Sequence, residues 1–220
     1  MLLHQQKPIT YLITSGETTP QTTPADKDFS RLLNLVAAAV AAHVNLIQLR
    51  EKNLSTRVLY ELTLQAAEIT RGSNTRLLIN DRADVARSAG ADGVHLTAGS
   101  IETSVIRRTF GDDFLIGVST HSLEEARATR DARADLVVFG PVFETAWKRA
   151  YSEPLGLDKL EQVATTLTQF PVLALGGVTL DNAAGCFRAG AAGVAAIRLM
   201  HDPDQLARVV VEIGAKFRSQ

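Results

Sequence analysis

The chain has a single cysteine, Cys186, in 220 residues, so no internal disulfide can form and a reducing, cytoplasmic compartment is expected. Cys186 lies in an apolar helical pattern and reads as core packing. Charge of either sign is almost balanced. The 23 Lys+Arg stand against 24 Asp+Glu, which gives no reason to expect nucleic acid or an anionic membrane as partner. Basic residues that matter must therefore be clustered locally. No run approaches the roughly 18 apolar residues of a membrane span. "MLLHQQKPIT" also lacks a charged start followed by a long apolar stretch, so the chain reads as soluble and untargeted.

What is present is a regular alternation. Eight short apolar runs, "ITYLIT", "VNLIQLR", "RLLIN", "GVHL", "FLIGVS", "LVVFG", "PVLALGG" and "GVAAIRL", alternate with eight amphipathic or Ala-rich helical patterns. Several runs are apolar throughout, as expected for parallel strands covered on both faces. Ser55, Ser122 and Thr179 stand where helix caps are needed. Eight β-then-α units in this length predict an α/β chain folded as one (β/α)8, or TIM, barrel domain over residues 1–220. The echoes "AGADGVHL", "DARADLVVFG" and "RAGAAGVAAIRL" are read as helix end, tight turn and buried strand. The polar stretch "SGETTPQTTPAD" after the first strand is read as a mobile loop, either a lid or a plain flexible insertion.

Barrel chemistry sits at the C-terminal ends of the strands. In "IQLREKN", a two-residue period puts Gln48, Arg50 and Lys52 on one side, toward the mouth. Two cations and an amide there suit a phosphorylated or diphosphorylated ligand; the other reading is a surface cluster paired through Glu51. "INDR" delivers Asn80 and Asp81, which read either as a Mg2+ site beside that group or as a cap and turn. "VSTHS" offers Ser119 and His121, the histidine being a site residue or a structural one. "FGPVFETAWKR" brings Thr145, Lys148 and Arg149. Gly176 and Gly177 precede a helix whose free N–H groups can receive a phosphate, or they form a mere turn.

Taken together, "QLREKN", "LLINDRADVARSAGADGVHL", "IGVSTHSLEEA", "LVVFGPVFETAWK" and "PVLALGGVTLDNAAGCFRAGAAGVAAI" resemble the thiamine phosphate synthase family, which includes the thiazole tautomerases. The resemblance runs over roughly residues 9 to 215. It implies a barrel transferase of thiamine biosynthesis that joins hydroxymethylpyrimidine diphosphate to hydroxyethylthiazole phosphate and releases diphosphate with Mg2+. By resemblance, Gln48, Arg50, Lys52 and Asn80 contact the diphosphate and pyrimidine, Asp81 the Mg2+ and Ser119 the pyrimidine. Thr145, Lys148 and Gly177 match the thiazole phosphate and departing diphosphate. Arg50, Lys52 and Lys148 are the groups expected to neutralise the leaving diphosphate. Three positions depart from the family pattern. Ser100 stands near the place of a second metal aspartate, Trp147 replaces a hydroxyl residue, and Arg198 replaces a serine that donates to phosphate. Arg198 can bind phosphate in serine's place or block the pocket. A tautomerase and a non-catalytic barrel that binds a thiamin precursor are the alternative readings. For the tautomerase, Pro141 holds the position of the acid/base histidine, which leaves His121 as substitute. Barrel helices of this kind can also pair as a homodimer.

Overall fold

The strand runs alternate between two environments, and that alternation closes the sheet. In β1 (Ile9–Ile13), Ile9, Tyr11 and Ile13 pack inside the barrel with Leu46, Leu78, Leu136, Val138, Leu173 and Ala195. Leu12 faces outward into a larger cluster with Ile47, Leu49, Leu77, Ile79 and the apolar faces of the helices. Both faces are thus apolar, which is why these runs do not show a simple polar alternation.

The computed structural model describes residues 8–144 and 153–219. After β1 come α1 (Lys27–Ala41), β2 (Leu46–Leu49), α2 (Thr56–Thr70), β3 (Arg76–Asn80), α3 (Ala83–Ser88), β4 (Gly93–Leu96) and α4 (Thr103–Phe110). The second half continues with β5 (Leu115–Thr120), α5 (Leu123–Asp131), β6 (Leu136–Phe139), α6 (Gly156–Thr166), β7 (Val172–Leu175), α7 (Ala183–Arg188), β8 (Gly193–Ala196) and α8 (Leu206–Arg218). All strands are parallel, each pairs with the next, and β8 closes on β1 with Tyr11 opposite Ala195. The expected (β/α)8 barrel is therefore the observed one. No described helix is long and apolar enough to cross a membrane.

Local signals set several boundaries. Ser55 and Ser122 accept from the N–H groups of Val58 and Glu125, at 3.3 and 3.1 Å, and open α2 and α5 as expected. Thr179 instead opens a turn, its hydroxyl 3.4 Å from the Asn182 N–H, and α7 starts only at Ala183. The unit echoes have a second cause besides the tight turn. Before β2, β4 and β6, the side chains of Asn45, Asp92 and Asp135 accept the backbone N–H of Thr10, Leu77 and Ile116 in the preceding strand, at 2.8, 2.8 and 2.7 Å. These carboxamide and carboxylate staples pin the N-terminal rim and leave the opposite rim free for chemistry.

Candidate active site at the C-terminal mouth

The inward positions next to that mouth are polar. Gln48 on β2, Asn80 on β3, His95 on β4 and Ser119 on β5 follow the same two-residue alternation as the apolar interior below them, and Asn80 lies in register with His95. They form two hydrogen-bonded chains. In the first, Gln48 Nε2 donates to Asn80 Oδ1 at 2.9 Å and Asn80 Nδ2 donates to Asp81 Oδ2 at 2.7 Å. Asp81 is a carboxylate and can only accept, so it dictates which way both amides point.

Asp81 stands just past β3 in the left-handed region, at φ 58°, with its N–H on the His95 carbonyl. Helix α3 opens on Arg82 without a side-chain cap, so "INDR" is no ordinary N-cap. The other Asp81 oxygen accepts the Ser100 hydroxyl, whose oxygen also takes the Thr97 N–H at 2.6 Å. Ser100 therefore reaches the spot expected of a second aspartate and brings a neutral donor there.

The second chain reaches Ser119 through two residues that sequence reasoning left unassigned. Tyr11, on the inner face of β1, sits with its hydroxyl 3.0 Å from His95 Nδ1; His95 Nε2 lies 2.9 Å from Ser119 Oγ. Tyr11 and His95 are fully buried, and Ser119 is half-buried at the mouth. Burial lowers the His95 pKa to about 4, the nearby Asp81 charge raising it and Arg50 lowering it further. The imidazole is neutral at ordinary pH. Burial likewise pushes the Tyr11 phenol well above its ordinary value.

Arg50 and Lys52 follow β2 just beyond the strand, half-buried and exposed respectively. Glu51 does not pair with them as the surface-cluster reading supposed. It turns to the opposite side, 3% exposed, and accepts from the hydroxyls of Thr14 and Thr18, both at 2.6 Å, and from the Gly16 N–H at 3.2 Å. Thr14 Oγ1 in turn accepts the Arg50 N–H at 2.8 Å, and Asn53 Nδ2 donates to the Thr18 carbonyl at 2.9 Å. The start of the β1–α1 segment is thus stapled to the end of β2. Gly16, at φ 76°, lies so near Arg50 that a Cβ there would stand 3.0 Å from the Arg50 carbonyl oxygen and 3.4 Å from its guanidinium.

His121 turns toward the following helix. Its backbone N–H and ring both face Glu125 of α5, with Nδ1 3.4 Å from Oε2, and the side chain is 46% exposed. The carboxylate of Glu125 thus reaches back to the residue before the Ser122 cap. Gly176 and Gly177 adopt φ 94° and 64°, and a Cβ would meet Pro141 Cα and the Glu144 carbonyl oxygen, each at 2.5 Å. The segment after β6 rests directly on them, with the Phe143 N–H on the Gly176 carbonyl at 3.0 Å. Arg198 is exposed in the 3-10 turn after β8. Thr145, Trp147, Lys148 and Arg149 lie outside the described residues. Cys186 is buried, its thiol pushed up to about 11 by burial, in keeping with a packing role.

A parallel barrel whose mouth gathers two amides, one carboxylate and two cations has the architecture of a barrel enzyme for phosphorylated ligands. A family model described as thiamine monophosphate synthase matches residues 18–200. The chain belongs to that family and is an enzyme of thiamine biosynthesis, of the thiamine-phosphate synthase type. A provisionally named thiamine-phosphate synthase of Geobacter sulfurreducens is 45% identical over 174 residues, 79% of this chain and 81% of the relative. The thiamine-phosphate synthase of Clostridium novyi is 37% identical over 175 residues, 80% and 85% of the two chains. A solved thiamine phosphate pyrophosphorylase from Pyrococcus furiosus superposes with a TM-score of 0.79 across 96% of both chains, at 28% identity.

Proposed function

We propose that the mouth binds a pyrimidine diphosphate on Gln48, Asn80, Ser119, Arg50 and Lys52 and transfers the pyrimidinylmethyl group to a thiazole phosphate held by Thr145, Lys148, Gly176, Gly177 and Arg198. The carrying observation is the ordered Gln48–Asn80–Asp81 chain beside the Arg50 and Lys52 end of β2. The C–O bond to diphosphate breaks with both electrons leaving on oxygen. Arg50, Lys52 and Lys148 neutralise the charge that accumulates there. The thiazole nitrogen then donates its lone pair to the resulting cation and forms the C–N bond. No proton is lost, so the absence of a poised base at His121 is no obstacle.

Asp81 suits a Mg2+ that arrives with its ligand. It is a single carboxylate with one hydroxyl neighbour, and no cluster of three or more His, Cys, Asp or Glu side chains occurs among the described residues. Mg2+ commonly takes one or two carboxylates and fills its shell with phosphate oxygens and water. Bound there, the ion would supply charge neutralisation for the leaving diphosphate. A tautomerase would need a proton-transfer group at the mouth, and neither Pro141 nor the Glu125-paired His121 provides one.

The deciding experiment incubates the protein with both phosphorylated halves and Mg2+ and measures thiamine phosphate. Product is expected from the wild type and essentially none from Asp81→Ala. Ligand uptake by folded wild type without product would replace the synthase reading with the binding-protein one.

A further inference from the structure

The polarity of the second chain is fixed by what is buried. Among the described residues the Tyr11 hydroxyl has one polar partner, His95 Nδ1. Were Nδ1 to carry the proton, the phenol hydrogen would be buried without an acceptor, at a cost of about 1–3 kcal/mol. Tyr11 therefore donates to Nδ1, and the single proton of the neutral ring resides on Nε2. Nε2–H donates to Ser119 Oγ, which must accept it. Ser119 keeps its own hydrogen, and no other described residue takes it. Gly117, two residues earlier on β5, keeps the ring in place: a Cβ there would come within 2.9 Å of Nδ1.

The first chain ends with the opposite polarity. Asp81 orients Asn80, Asn80 orients Gln48, and Gln48 Oε1 remains as an acceptor. The mouth thus offers one acceptor, from Gln48 on β2, and one donor, from Ser119 on β5.

We propose that Tyr11 and His95 are positioning residues that lock the Ser119 hydroxyl as a hydrogen-bond donor, so that the site selects a ligand with an unprotonated ring nitrogen opposite Ser119. The substrate half of this proposal rests on the pyrimidine diphosphate reading above; the relay half does not.

The relay is tested on the wild-type protein by long-range 1H–15N correlation of the histidine rings, with His95 assigned by the signals lost in His95→Gln. A protonated Nε2 and bare Nδ1 are expected, and a protonated Nδ1 overturns the proposal. The ligand half is tested with the pyrimidine diphosphate and with analogues in which each ring nitrogen in turn is replaced by C–H. One analogue should bind wild type on the order of tenfold more weakly, the worth of one hydrogen bond. In Tyr11→Phe, which preserves the ring's volume, that penalty should shrink, with the pyrimidine KM raised and the thiazole KM unchanged. An equal penalty in both proteins overturns the proposal. Failure of the wild type to bind the pyrimidine diphosphate overturns both the ligand half and the functional reading, while the ring-nitrogen result still decides the relay.

Discussion

His95 sits 1% exposed between a phenol and a hydroxyl, and its pKa of about 4 makes it a pH-sensitive element of stability. The folded value lies below the ordinary 6.5, so between pH 6.5 and 4 the unfolded chain binds a proton that the folded chain refuses. Stability from this residue is fully present above 6.5 and is lost as pH falls toward 4, by roughly 3 kcal/mol in total. Burial is the main cause, and it outweighs the opposite pull of Asp81. In His95→Gln that proton uptake disappears. Urea midpoints measured across this range should therefore fall less steeply with acid than in the wild type, and parallel curves would show that other groups dominate.

At the scale of elements, the β1–α1 segment depends on a residue from a different unit. Glu51 gathers Thr14, Gly16 and Thr18 about one carboxylate, and Thr14 carries the connection on to the Arg50 backbone. Glu51→Ala strands two hydroxyls and two N–H groups, and the expected loss is on the order of 3 kcal/mol, given that hydrogen bonds to charged groups are worth more than neutral ones. The loss should appear as a lower denaturation midpoint, with new proteolytic cutting within residues 15–26 and weaker diphosphate binding as Arg50 loses its support. Glu17→Ala, at an exposed position of the same segment, is the control. Unchanged cutting in Glu51→Ala would mean that the segment is held by other contacts. The strand period places Gln48 on the inner side of β2, but it says nothing of what covers the other side. A glutamate beside an arginine and a lysine looks like a surface pair until the chain 35 residues earlier is seen folding over it.

Over the whole molecule, the barrel was legible because each unit repeats its own local logic: apolar strand, amphipathic or Ala-rich helix, tight return. The mouth was legible where strand ends carry unusual polar residues, as at Asn80 and Ser119. It was illegible where function depends on pairing across units, as in Tyr11 with His95, whose positions are 84 residues apart and lie within ordinary-looking strands. His121 was ambiguous in the sequence for the complementary reason. It follows the inward alternation of β5 but stands past the strand's end, where the α5 carboxylate of Glu125 claims it.

The same cross-unit construction makes ligand binding a property of the entire barrel. A diphosphate engaging Arg50, Asn80 and Asp81 touches units that must all be folded together, so binding the folded state alone raises stability by about 2.7 kcal/mol at a hundred times Kd. For a chain of this size each kcal/mol is worth roughly 2–4 °C. Diphosphate with Mg2+ should therefore raise Tm by about 5–10 °C at such saturation. With one carboxylate at the site, the ion and the diphosphate need each other, so either one alone should give a much smaller shift. Asp81→Asn keeps the side chain's size and removes its charge, and it should abolish the dependence on Mg2+ while leaving a residual shift from Arg50 and Lys52. An equal Tm gain with and without Mg2+ in the wild type would show that the cations alone hold the diphosphate and that Asp81 serves only to orient Asn80.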